Sequence, residues 1–316
     1  MDDIPHISII IPFLNEEANI QRLGEQLSCF VEKHPSLSFE VLLVNDGSTD
    51  KSREMVLSSH FPKQTRLLNL SQNYGSHAAL RAGITKAKGE YITFIYADLQ
   101  DPLDNIIKMY EQISKGYDII WAFRKNTENS TFEKLFSKYY SQLMRRYVNP
   151  KYPTQGFDIV MFNAKVANEL NKNIEANSSI FLQILNLGFK TNYVLYNKET
   201  RKAGKSKWTL GKKIKLLIDS FVAFSFAPIR LVSLLGIMFF FLGFLWSGFI
   251  IFRKIVYDDL ASGWPALLSI LMIGFGITNI SLGIIAEYLW RTLDASRKRP
   301  VYIIDEVIEV DEVVNV

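Results

Sequence analysis

The chain has 316 residues, 48% hydrophobic and 22% charged, a balance that excludes disorder and fibrous repeats and supports a packed core. Lys plus Arg number 36 against 32 Asp plus Glu, and the resulting net charge of +4 is too mild for a nucleic-acid surface. A single cysteine, Cys29, and four scattered histidines exclude a disulfide framework and a Cys/His zinc site.

Over residues 1–125 short apolar runs alternate with helical periods. Strands are expected at 7–11, 41–44, 66–70, 91–95 and 118–122, and helices at 15–32, 51–59, 76–87 and 103–114. This repeated βα order predicts an α/β fold with a mostly parallel sheet and flanking helices. Ligands of such a sheet bind beyond the carboxyl ends of its strands. Those positions hold Pro12-Phe13-Leu14-Asn15-Glu16, then Asn45-Asp46-Gly47-Ser48, then Tyr96-Ala97-Asp98-Leu99-Gln100-Asp101-Pro102. Three polar, acidic loops thus converge on one crevice. Within them Asn15 and Asp50 suit helix caps, Gly47 a turn, and Asp101-Pro102 a capped helix start. Asp98 and Gln100, two apart on a segment expected to be extended, project to one side and offer two oxygens to a hard cation. His77 reads as a local hydrogen-bonding residue.

Farther along, residues 132–148 place Phe132, Leu135, Phe136, Tyr139, Leu143 and Tyr147 largely at helical spacing with basic residues between them, and 212–223 mixes bases with Leu and Phe similarly. Such helices suit either the lipid headgroup layer or an ordinary domain surface with one buried face, and the headgroup layer is favoured for 212–223, which abuts a span. The uncharged runs 231–252 and 264–286 are each long enough for a bilayer core of roughly 30 Å and predict a two-helix transmembrane hairpin. Small and mildly polar residues in the second, Ser269, Thr278, Asn279 and Ser281, suit helix–helix contacts in lipid. Lys212, Lys213, Lys215 and Arg230 precede the hairpin and Arg291, Arg297, Lys298 and Arg299 follow it, which places both chain ends and the large N-terminal part in the cytoplasm. The opening Met1-Asp2-Asp3 is no signal peptide. The expected organisation is a catalytic domain over 1–208, a juxtamembrane amphipathic helix over 209–228, the hairpin over 229–290 and a tail over 291–316. The acidic, valine-rich residues 305–316 form either an exposed end or an added edge strand.

The strings PFLNE, NDGS and ADLQDP, in that order and spacing, resemble the family-two GT-A glycosyltransferases. The specific likeness is to the polyprenyl-phosphate branch, which includes dolichol-phosphate mannose synthase and the bacterial undecaprenyl-phosphate sugar transferases. It extends to Arg124, QGFDIVMF around Asp158, RKAGKSKW at 201–208, the two spans and AEYLWR at 286–291, covering about residues 7–303. NDGS alone is weak, whereas DLQDP followed by RxxGxSKW and a two-span hairpin is specific to the branch.

The resemblance implies that Pro12, Leu14, Glu16 and Asp46 contact the uridine of a UDP-sugar, with Tyr96, Ala97 and Asp98 near its ribose and diphosphate. It assigns Asp98 and Gln100 to Mg2+ or Mn2+, and Arg124, Arg201 and Lys207 to phosphates, including that of undecaprenyl phosphate. Asp158 matches the position proposed as catalytic base. A polyprenyl monophosphate, at about −1.5 to −2 charge, is already a nucleophile, so an orienting role for Asp158 is favoured. The leaving UDP needs a metal and cationic side chains, and the absence of a relay carboxylate predicts single displacement with inversion. The family's DAD is here Tyr96-Ala97-Asp98, and a neutral phenol is a poor Mg2+ ligand but a good donor to phosphate. The resemblance further implies a homotetramer in the bacterial inner membrane that modifies cell-envelope glycan, with membrane lipids as partners. A processive synthase is disfavoured because no QxxRW string occurs and two spans are too few for a pore. The alternative of another class is a catalytically silent membrane-bound nucleotide-sugar-binding protein.

Overall fold

The structure is a computed structural model that describes residues 4–125, 131–154, 157–172, 178–197, 264–297 and 300–310, with scattered positions between 232 and 256. It comprises two compact units, Met1–Leu216 with Pro300–Val316, and Leu217–Arg299.

The first unit begins with β1 (Ile7–Phe13), α1 (Glu17–Glu32), β2 (Phe39–Asn45), α2 (Ser52–Ser58), β3 (Thr65–Leu70), α3 (Ser76–Lys86), β4 (Tyr91–Phe94), α4 (Asp104–Ile113) and β5 (Ile119–Arg124). Every strand and helix expected before residue 125 is present. It continues with α5 (Thr131–Tyr147), β6 (Ile159–Asn163), α6 (Ala164–Lys172), α7 (Ile180–Asn186) and β7 (Thr191–Tyr196). The second unit contains α8 (Trp264–Arg297), after which β8 (Ile304–Glu309) belongs again to the first.

The eight strands form one sheet in the order β7-β5-β6-β4-β1-β2-β3-β8. β1 pairs in parallel with β2 and β4, β2 with β3, and β5 with β7. β6 runs antiparallel between β4 and β5, and β8 antiparallel along β3, so the sheet is mixed around a parallel centre. Helices cover both faces of that centre, which is why β1, β2 and β3 are buried along their whole length, β1 and β2 reading as largely apolar runs. Ile20, Leu23, Leu27 and Phe30 of α1 and Ile106, Met109 and Ile113 of α4 supply the facing apolar stripes. Of the two alternatives for the acidic tail, the edge strand is the one realised, as β8.

The opposite edge from the site is closed by a buried ion pair. Glu40 of β2 meets Arg66 of β3, and also accepts hydrogen bonds from Ser8 Oγ of β1 at 2.6 Å and from the Lys88 backbone N–H at 2.9 Å. Removing one partner leaves the other charge buried and uncompensated. Arg66→Ala is therefore expected to lower stability by about 3–5 kcal/mol, read by thermal unfolding, with a smaller loss in the exposed-pair control Lys172→Ala.

In the second unit α8 has 34 residues, roughly 51 Å at the helical rise, and Ile273–Trp290 is long and apolar enough to cross a membrane. Phe275, Leu282, Leu289 and Trp290 expose more than half of their surface, as a helix facing lipid does. Thr278 and Ser281 were expected to serve helix–helix contacts. Their hydroxyls donate to Gly274 and Ile277 carbonyls of the same helix at 2.9 and 2.8 Å, which satisfies them without a neighbour. The first expected span, 231–252, lies mostly outside the described residues, as does the amphipathic stretch 212–223.

Candidate active site

Because β1, β2, β4, β5 and β7 run the same way, their carboxyl ends share one edge of the sheet. Antiparallel β6 brings its amino end there instead, which places Asp158 among them.

At the β1 and β2 ends the two loops are tied to each other. Asn15, at φ +52°, donates its N–H to Ser48 Oγ at 3.0 Å, and its side-chain oxygen accepts the Thr49 N–H at 2.8 Å. It bridges the loops and does not cap α1, because a left-handed residue at that point turns the side chain toward the neighbouring loop. Glu16 donates its N–H to Ser52 Oγ at 2.8 Å and accepts from Asn19 Nδ2 at 2.7 Å. Asp50 accepts the Ser52 N–H at 3.0 Å and the Glu17 N–H at 3.3 Å, serving the starts of both α2 and α1. Burial pushes its carboxyl up, but these bonds and that of the Ser52 hydroxyl hold it below its ordinary value. Gly47 has φ +71°, and a Cβ there would sit 2.6 Å from the Asn73 nitrogen, so both conformation and space require glycine. Asp46 is buried and accepts the Tyr74 N–H at 2.8 Å and the Gly75 N–H at 3.0 Å, fixing the entry to α3. Burial raises its carboxyl despite those two bonds. Pro12 is buried and Leu14 half-buried beside it.

The ends of β4, β5, β6 and β7 hold the charges. Arg124 closes on Asp158 twice, Nη2 to Oδ1 at 2.6 Å and backbone N–H to Oδ2 at 3.3 Å. Tyr196, buried at the end of β7, donates its hydroxyl to Asp101 Oδ1 at 2.6 Å. This corrects the reading of Asp101 as a cap: α4 starts from Leu103 without a side-chain cap, and the carboxylate takes a tertiary partner instead. Tyr96 lies among the negative charges of Asp101, Asp158 and Asp98; burial first, then those charges, push its phenol well above its ordinary value. Burial, then Asp101 and Asp158, push Tyr196 up likewise, so both phenols stay protonated hydrogen-bond donors.

Asp98 and Gln100 are brought together differently from the expectation. Residues 97–99 turn, Leu99 has φ +56°, and Asp98 Oδ1 accepts the Gln100 N–H at 3.4 Å. A turn has replaced the extended segment, since the chain must leave β4 for α4 within a few residues. Among the described residues no group of three His, Cys, Asp or Glu is placed to hold a metal. One carboxylate and one amide oxygen, those of Asp98 and Gln100, would fit only a hard cation held mainly by phosphate and water. Arg201 and Lys207 lie outside the described residues.

Residues 8–170 match the family described as glycosyl transferase family 2. The chain belongs to glycosyltransferase family 2. It is 32% identical over 302 residues to the uncharacterized glycosyltransferase YkcC of Bacillus subtilis, covering 95% of this chain and 93% of that one. It is 28% identical over 312 residues to the undecaprenyl-phosphate 4-deoxy-4-formamido-L-arabinose transferase of Pectobacterium atrosepticum, covering 98% and 95%. Among solved structures, glucosyl-3-phosphoglycerate synthase from Mycobacterium tuberculosis, crystallised with Mn2+, UDP and phosphoglyceric acid, superposes with a TM-score of 0.51 at 16% identity, over 69% of this chain and 76% of that one. The shared architecture is the GT-A fold.

Two features of this family 2 glycosyltransferase have no counterpart in the sequence reading. Tyr196 is one: it meets Asp101 across 95 residues, and no motif connects them. The other is an open cavity of about 520 Å3 lined by Trp121, Phe123, Arg145, Lys151, Tyr193 and Leu195. Side chains alternate along β5, so Trp121 and Phe123 face away from Ala122 and Arg124, and the cavity lies across the sheet from the carboxylates. His77, expected as a hydrogen-bonding residue, has a buried Nδ1 without a partner among the described residues and packs edge-on to Phe181.

Tyr196→Phe is expected to remove the phenol's hydrogen bond to buried Asp101 and to lower stability by about 1–3 kcal/mol in thermal unfolding, whereas exposed Tyr193→Phe changes little. Burial and the nearby Arg81 lower His77 from 6.5 to about 4. Between those values the unfolded chain binds the proton and the folded one does not, so stability is lost as pH falls from 6.5 to 4. His77→Phe is expected to flatten the pH dependence of the unfolding temperature within that window, and an unchanged slope would remove the assignment.

Proposed function

We propose that the enzyme transfers a sugar, with inversion, from a UDP-sugar to undecaprenyl phosphate at the cytoplasmic face of the bacterial inner membrane. The observation that carries this reading is the cluster of Tyr96, Asp98, Arg124 and Asp158 at the carboxyl edge of a GT-A sheet, in a chain that covers relatives named for undecaprenyl phosphate almost end to end. The synthase sharing the fold contains Mn2+ and UDP; for this chain, donor and metal rest on its own residues.

Asp98 and Gln100 would hold Mg2+ or Mn2+, which when bound neutralises charge developing on a leaving diphosphate. Pro12, Leu14, Glu16 and Asp46, with Ala97, line the uridine and ribose side, Asp46 acting through the backbone it fixes. Tyr96, kept protonated, donates to a donor phosphate oxygen. Arg124 retains a buried Nε without a partner among the described residues, a donor suited to a phosphate, while Asp158 orients its guanidinium. Asp158 is engaged at both oxygens by Arg124, and an acceptor phosphate that is already ionised needs no proton removed, so positioning is its role. Arg201 and Lys207 hold the acceptor phosphate at the headgroup layer, α8 with the run 231–252 anchors the enzyme, and the tetramer and the 1–208, 209–228, 229–290 and 291–316 divisions belong to the same proposal.

A silent binding protein is favoured only by Tyr96 in place of an acid. The test is incubation of the full-length protein with UDP-sugars, Mg2+ or Mn2+ and undecaprenyl phosphate: labelled lipid supports transfer, and UDP-sugar binding without labelled lipid replaces it with the silent reading. Asp98→Ala is expected to abolish transfer with the fold retained. Tyr96→Asp adds a carboxylate to Asp98, Asp101 and Asp158, so metal should raise its unfolding temperature more than that of the wild type and reach half-maximal effect at lower concentration. An unchanged metal response would show that position 96 does not face the metal.

A further inference from the structure

Asn45, Asn69 and Glu306 stand directly opposite one another across β2, β3 and β8. They form one chain of hydrogen bonds. The Ser48 N–H donates to Asn45 Oδ1 at 2.9 Å, Asn45 Nδ2 to Asn69 Oδ1 at 3.0 Å, and Asn69 Nδ2 to Glu306 Oε2 at 3.2 Å. Arg53 also donates to that carboxylate oxygen, at 2.8 Å. Both asparagines are buried, whereas the Glu306 side chain is 47% exposed.

The direction of the chain is fixed by chemistry at its two ends. A backbone N–H only donates and a carboxylate only accepts, so each amide between them has a single orientation that satisfies all three bonds. The inner end is Ser48 in the NDGS loop, whose Oγ accepts the Asn15 N–H and so joins the loop after β1. Asp46 and Gly47 lie between Asn45 and Ser48.

We propose that Glu306 is a positioning residue for the donor site, acting through Asn69 and Asn45 on the backbone of residues 46–48. The C-terminal strand then sets the loop that meets the nucleotide, and the segment following α8 in sequence is part of the donor-binding machinery. This rests on the UDP-sugar reading above for the identity of the ligand, but not for the relay itself.

The test compares Glu306→Lys, Glu306→Gln and Arg53→Gln in the full chain, all at exposed positions. Lysine presents donors where Asn69 needs an acceptor; turning both amides to suit it sets Asn45 Nδ2 against the Ser48 N–H. Glutamine keeps an acceptor oxygen, and Arg53→Gln keeps Glu306 itself. Hydrogen exchange of residues 45–49 is expected to speed up by roughly tenfold in Glu306→Lys alone. UDP affinity and the donor KM should worsen by roughly two- to tenfold, with kcat and the acceptor KM unchanged. Unchanged exchange at 45–49 overturns the relay whatever the donor. Faster exchange with unaltered UDP affinity overturns the positioning role, and an equal effect in Arg53→Gln assigns the result to the surface ion pair. If the wild type does not bind UDP, the donor reading falls, and the exchange comparison still decides the relay.

Discussion

The Arg124–Asp158 pair is the contact on which the site depends. It ties the end of β5 to the start of β6, which, like β8, meets this edge with its amino end. Asp101 and Asp158 are buried and Asp98 is close enough to act on the same phenol, so three carboxylates converge around Tyr96. Like charges at such range repel one another. The guanidinium of Arg124 offsets the nearest of them, and the Tyr196 hydroxyl gives Asp101 a neutral donor. The remaining acid, Asp98, is the half-buried one, which is the position the proposed metal role requires.

The half of the site at the ends of β1, β2 and β3, proposed to hold the donor, is built on another principle. There, side chains are spent on holding backbone: Asp46 on Tyr74 and Gly75, Asn15 on Thr49, Asp50 on Ser52 and Glu17, Asn45 on Ser48. Three loops are cross-linked by short polar residues at the carboxyl ends of β1, β2 and β3, and their geometry is set before any ligand arrives. Such preorganisation reduces the ordering cost of binding. Each residue of the NDGS string is committed: Asn45 bonds Ser48 and Asn69 of β3, Asp46 holds the loop after β3, Gly47 has neither the space nor the backbone conformation for a side chain, and Ser48 is bonded from two sides.

The parallel centre of the sheet was legible because its buried strands carry runs of Ile, Val and Leu, such as Ile9–Ile11 in β1 and Val41–Val44 in β2, and the loops that follow were legible because function concentrates there. What escaped had weaker marks. β6 and β7 follow long stretches without βα rhythm, and β7, with Thr191, Asn192 and two tyrosines, lies at an edge where apolar continuity is not required. The cap readings of Asn15 and Asp101 failed for a common reason. A short polar side chain next to a helix start has several N–H and O–H donors within reach, and tertiary neighbours distant in sequence, Thr49 and Tyr196, supplied the ones that were used. The extended geometry assumed for Asp98 and Gln100 failed at Leu99, whose left-handed conformation no residue type announces.

The two margins of the sheet answer different demands. β3 is buried along its length, and without a neighbour it would present an apolar row of unpaired backbone groups. β8 covers it and carries Asp305, Glu306 and Glu309, so the new margin is charged and resists further strand addition. At the other margin β7 leaves Tyr193 and Leu195 exposed, beside the cavity bearing Arg145 and Lys151, and α5 exposes Tyr139 and Tyr147 while burying Ser141 and Met144. Aromatic and aliphatic surface interleaved with bases suits an amphipathic environment such as a headgroup layer, whereas an acidic strand does not. The sheet is thus polarised across its width, with a charged margin beside the loops after β2 and β3 and a basic, aromatic margin at β7, which the sequence follows within five residues by Arg201, proposed to meet the lipid phosphate.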